Sequence, residues 1–128
     1  GIHEYFDYGT WRFAPRVLDM EDFVVAVMQS WRADGGEPDI ALDLPRWLGE
    51  VGFEIRELRP IVDVVTPSNF VWQWPRTFIE VNLRRLVDLG RMTPDRAKTI
   101  SHAVISAEKT PDTYMITPAV LEIIAVRR

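Results

Sequence analysis

The stretch Asp43-Leu44-Pro45-Arg46-Trp47-Leu48-Gly49-Glu50-Val51-Gly52-Phe53-Glu54-Ile55 decides how this chain is read. Asp43 is placed to cap a short helix, with Pro45 in a first turn where a missing N–H does no harm. Leu44, Trp47, Leu48 and Val51 recur at helical spacing and are expected to form its buried face. Gly52 is expected to close the helix, and Phe53 to make the apolar contact that follows such a cap. From Glu54 the pattern turns extended and runs through Ile61 to Val65. Pro60 cannot donate to a ladder, so this strand should lie at a sheet edge or break there. A short amphipathic helix feeding a strand is one unit of an α/β fold.

The chain on either side continues the theme. Upstream, Ile2-His3-Glu4-Tyr5-Phe6-Asp7-Tyr8 alternates and is rich in aromatics, which reads as a strand. Residues 9–15 read as a loop. Asp19 is a candidate N-cap for a helix whose apolar positions are Phe23, Val24, Val27, Met28 and Trp31, ended by Gly35-Gly36. Downstream, Pro75 opens a third helix that Gly90 closes, carrying Phe78, Ile79, Leu83, Leu86 and Val87. Thr93-Pro94 begins a fourth, with Thr93 as cap and Ala97, Ile100, Val104 and Ala107 on its inner side. Residues 113–116 and 120–126 read as strand, interrupted by Pro118. The order is strand, helix, helix, strand, two helices, strand: an α/β chain of three principal strands, few for a sheet standing alone.

Composition narrows the functions. With 128 residues and 47% hydrophobic content, one domain with a real core is expected. There is no cysteine, so no thiolate metal site, disulfide or thiol nucleophile is available. Net charge is -4 and the basic residues are scattered among acids, with no run larger than Arg84-Arg85 or Arg127-Arg128. No nucleic-acid partner is expected from that pattern. No apolar run is long enough to span a bilayer, and the first residues do not form a signal peptide. A cytoplasmic location and no membrane association are expected. His3 and His102 have no companion cluster, so no metal site is expected.

The short leucine-rich helix, Gly52-Phe53 and the strand after them resemble the segment late in class I S-adenosylmethionine-dependent methyltransferases that leads into the sixth strand. Residues 2–8 are similar to the fifth strand, and Thr117-Pro118-Ala119-Val120-Leu121-Glu122-Ile123-Ile124-Ala125-Val126-Arg127 to the last. The resemblance covers most of the chain in family order. It implies a partial Rossmann-like sheet of three strands, ordered 5-7-6 with the last antiparallel, and a helical lid insertion over residues 66–111. It also implies methyl transfer to a small, apolar molecule. The family binds S-adenosylmethionine on its first four strands, through a glycine-rich turn after the first. Gly35-Gly36 follows a helix instead, so no donor-binding residue carries over and the chain alone is expected to be inactive and not to bind the donor. The strand that would flank residues 2–8 is missing. An amino-terminal half, a second copy pairing through that strand as a homodimer, or a rearranged fold would each supply what is absent. Two further readings remain: one subunit of a split methyltransferase, and a non-enzymatic α/β module that self-associates or binds an apolar ligand.

Methyl transfer needs positioning and a dry site more than a catalytic triad, so few residue types betray it and no catalytic residue is assigned. Ligands in open α/β sheets sit outside the carboxyl ends of strands, which draws attention to Glu4, Tyr5, Asp7 and Tyr8. Trp11, Trp72 and Trp74, with Phe70 and Phe78, could wall an apolar pocket, and aromatic faces also attract cations. The candidate substrate residues are therefore Tyr5, Tyr8, Trp11, Trp72 and Trp74. Each could equally be a packing residue; Trp31 and Trp47, on helical stripes, are expected in the core.

Overall fold

A computed structural model describes residues Gly1–Arg128. Its strands are β1 (Ile2–Asp7), β2 (Arg12–Ala14), β3 (Phe53–Ile61), β4 (Val64–Val65), β5 (Tyr114–Ile116) and β6 (Ala119–Arg127). Its helices are α1 (Leu18–Ala33), α2 (Leu44–Glu50), α3 (Gln73–Asp88) and α4 (Pro94–Lys109). Short 3₁₀ turns span Tyr8–Thr10, Ile40–Leu42 and Phe70–Trp72. No helix is long and apolar enough to cross a membrane.

The first sheet has the order β1-β6-β3, with β6 antiparallel to both neighbours. β1 and β3 therefore run parallel, and their carboxyl ends lie at the same end of the sheet. This is the strand order that the resemblance implied. Tyr5 and Ile61 both sit opposite Val120, whereas Ile2 and Leu58 sit opposite Ile123. Strand side chains alternate between faces, so Tyr5, Val120 and Ile61 share one face and Ile2, Ile123 and Leu58 the other. Pro60 is accommodated because β3 is an edge strand. α2 and the 3₁₀ turn before it pack against this sheet.

A second antiparallel sheet, β2-β5-β4, was not expected. Residues 12–14 are strand and not loop, and Val64–Val65 leaves the long strand to join the other sheet. A half-fold of three strands alone is thus corrected to two small sheets. The second closes the bundle of α1, α3 and α4 around Phe23, Met20, Val27, Ile79, Leu86, Ile100, Val104 and Met115, all essentially fully buried. The 3₁₀ turn Phe70–Trp72, α3 and α4 occupy the segment expected to be helical.

Local chemistry explains the element ends. Thr93 Oγ1 accepts the Arg96 N–H at 3.1 Å, the expected cap, and Gly90 leaves α3 with φ +70°. Asp19 does not cap α1: the helix begins at Leu18 after Val17, without a side-chain cap. Asp19 instead lies in the first turn, where a carboxylate still favours the helix dipole, and accepts from Arg96 at 2.6 Å. The buried face expected for α2 is also corrected. None of its residues is buried, Val51 and Trp47 are exposed, and Arg46 lies 5.8 Å over the Trp47 ring. A seven-residue helix at the sheet margin has too little partner surface to cover both.

Candidate functional site

A cleft opens where β1 and β3 end. Its aromatic wall is Tyr5, Tyr8, Trp11, Trp74 and Phe78. Its opposite wall comes from Ile61 and Asp63 after β3, Thr117, Pro118 and Val120 at the entry to β6, and Val71 and Pro75 before and within α3. The interior measures about 80 Å³. Four of the five aromatic residues named from the sequence therefore meet in one place.

The chain builds this wall from three elements. Tyr5 projects from β1 onto the face it shares with Val120 and Ile61. The Asp7 carboxylate accepts the Gly9 N–H at 2.7 Å, and this tight turn brings Tyr8 round with its ring centroid 4.8 Å from Tyr5. The Trp11 N–H then donates to the Tyr8 carbonyl at 3.1 Å, turning Trp11 inward. The Trp11 indole N–H donates to Met115 Sδ at 2.8 Å and its ring meets the edge of Phe78 at 5.4 Å. Trp74 stacks beside Tyr5 at 6.0 Å and remains 64% exposed, at the mouth.

Trp72 does not line this cleft. It is buried, stacks on Phe13 at 5.4 Å, and donates its indole N–H to Glu108 at 3.0 Å. Glu108 also holds Arg76. Residues two apart at a helix start point to nearly opposite sides, so one tryptophan enters the core and the other faces the cleft. Phe70 is 84% exposed and does not line it. Trp31 is half-buried behind the cleft, meeting Tyr8 edge-on at 5.4 Å.

The remaining candidates have structural partners. Glu4 accepts the Tyr5 backbone N–H at 2.8 Å, and His3 bonds Glu122 at 2.6 Å, which also holds Arg59. The hydrogen bonds from His3 and Arg59, that from His3 first, hold the Glu122 carboxyl below its usual range. His102 is exposed on α4. No group of three or more His, Cys, Asp or Glu side chains is placed to hold a metal. Ile61, Asp63, Thr117, Pro118 and Val120 were missed in the sequence. The sequence reads as extended through to Val65, which puts Ile61 and Asp63 inside the strand, whereas β3 ends at Ile61.

Burial raises the Tyr5 hydroxyl from its ordinary 10.0 to about 12, with the Glu4 charge adding to it. Burial raises Tyr8 too, with Tyr5, Glu4 and Asp39 adding. Both stay neutral at physiological pH, so neither is a ready general base. The linkage follows. The unfolded tyrosines lose their protons near 10 while the folded ones hold theirs, so the stability they contribute is complete below pH 10 and declines as pH rises toward 12. Absorbance titration at 295 nm should place the ionisation of Tyr5 and Tyr8 at higher pH in the native chain than in urea. Ionisation of both at the same pH in the two conditions would contradict the packing of the cleft.

Compared with protein-family models and with curated proteins, the chain gives no match.

Proposed function

We propose that these 128 residues form the substrate side of a class I S-adenosylmethionine-dependent methyltransferase whose donor-binding strands lie outside them. The observation that carries this reading is the sheet order β1-β6-β3, with the last strand antiparallel between two parallel ones. In this reading β1, β3 and β6 are the fifth, sixth and seventh strands of a Rossmann-like sheet. Residues 66–111 are the lid, and the enzyme works in the cytoplasm. The cleft supports it independently, because it lies outside the carboxyl ends of β1 and β3, where open α/β sheets take ligands. Its aromatic walls would hold a small, largely apolar acceptor in fixed orientation and keep water from it.

In this reading the donor site is supplied from outside these residues. The free edge of β1 would receive a strand of the donor-binding half, or of a second copy. A second reading is a module that binds an apolar ligand without any donor, which the mostly apolar lining of the cleft would also serve.

Kinetics of the native-length enzyme test the assignment. Trp74→Ala should raise KM about tenfold, the equivalent of ~1.4 kcal/mol of lost contact, with kcat little changed. Trp72→Ala should lower stability without a matching effect on KM. An unchanged KM in the Trp74 variant would remove the cleft as substrate site. Ligand binding that is indifferent to S-adenosylmethionine would favour the donor-free module.

A further inference from the structure

One charged residue lines the cleft, Asp63, and its carboxylate makes no hydrogen bond or ion pair. Its backbone, by contrast, is fixed on both sides by Thr117. The Asp63 N–H donates to Thr117 Oγ1 at 2.9 Å, and the Asp63 carbonyl accepts the Thr117 N–H at 2.9 Å. Elsewhere in the chain, acids such as Asp19, Asp34, Glu108 and Glu122 are met by arginines. No lysine or arginine lines the cleft, so an anionic ligand would find an apolar wall and a like charge.

We propose that the cleft takes a cationic head, a quaternary or protonated tertiary ammonium, packed against the wall formed by Tyr5, Tyr8 and Trp74 with Asp63 at its edge. This rests on the function proposed above and names the head by which the cleft would hold its substrate; such a nitrogen has no lone pair to receive a methyl group, so the accepting atom lies elsewhere in the same molecule. Aromatic rings attract a cation through their negative faces, and Asp63 supplies the countercharge without needing to break an existing pair. Tyr5 and Tyr8 present neutral rings across the physiological range. The size agrees. At roughly 10–15 Å³ per water-sized group, an interior of about 80 Å³ holds on the order of five such groups: a nitrogen, its methyls and the first linker carbon. The rest of the ligand would leave past Trp74, the exposed member of the wall.

Choline and its neutral isostere 3,3-dimethylbutan-1-ol separate charge from shape. Each is titrated into the 128-residue chain while the ring proton signals of Tyr5, Tyr8 and Trp74 are followed by NMR. Choline should bind at least about fivefold more tightly. Asp63→Asn should weaken choline severalfold and leave the alcohol unchanged, whereas Trp74→Ala should weaken both. Both positions are exposed, and circular dichroism checks that the variants keep the fold. Equal or tighter binding of the alcohol overturns the proposal, as does the absence of any shift with choline up to the solubility limit of the alcohol. The titration contains no methyl donor. Its failure therefore leaves the methyltransferase reading standing, and a failure of donor binding in the native-length protein leaves the ammonium site standing.

Discussion

Replacing Trp11 by alanine is expected to destabilise the chain by about 3–5 kcal/mol. The indole is 3% exposed and lies where the helical core meets the cleft. Its ring meets Phe23 edge-on at 6.2 Å and Phe78 at 5.4 Å, and its N–H is directed at Met115. Removing it leaves a void that these neighbours, held by α1, α3 and β5, can fill only in part. Small domains hold about 5–15 kcal/mol in all, so the loss is a large share. Urea denaturation should show a lowered midpoint with an unchanged slope. Trp74→Ala, at the mouth of the same cleft, should stay within about 0.5 kcal/mol of the parent. A small effect at Trp11 would mean that the cleft is not continuous with the core.

Ile123→Ala is expected to cost about 2–5 kcal/mol. Ile123 is fully buried in the middle of β6, opposite Ile2 on one side and Leu58 on the other. It is the residue through which the three strands of the first sheet share one apolar row. Val126, further along the strand and 46% exposed, is the internal control, and its alanine variant should change stability by no more than about 0.5 kcal/mol. Chemical denaturation measures both. Equal losses at the two positions would contradict the register of β6.

Much of this architecture could be read from the residues because its long elements carry both periodicity and punctuation. α4 announces itself through Thr93, Pro94 and an inner row of Ile100, Val104 and Ala107, and all three of those apolar residues are buried. α3 ends as Gly90 requires. The order β1-β6-β3 came from resemblance, because strand pairing between residues more than a hundred positions apart leaves no local trace. The second sheet left none either. β2 and β5 have three residues each and β4 two, too few for alternation to register. They exist because the ladder partners and the helices beneath supply what propensity does not. In the cleft, the strand-end rule identified Tyr5 and Tyr8 as candidates and aromatic content identified Trp11 and Trp74. Nothing local could tell Trp72 from Trp74, since their fates depend on which side of the α3 entrance faces the core. Asp63 escaped notice because a lone carboxylate after a strand gains meaning only when the parallel partner strand ends beside it.

The most direct test is the intact mass of the natively expressed protein, taken with calorimetric titration by S-adenosylmethionine of that protein and of the 128-residue chain. The account predicts a native mass well above 14.8 kDa per chain with donor binding, and no donor binding by the 128 residues alone. A native product of 14.8 kDa that binds no donor, or a donor site within these 128 residues, would contradict it.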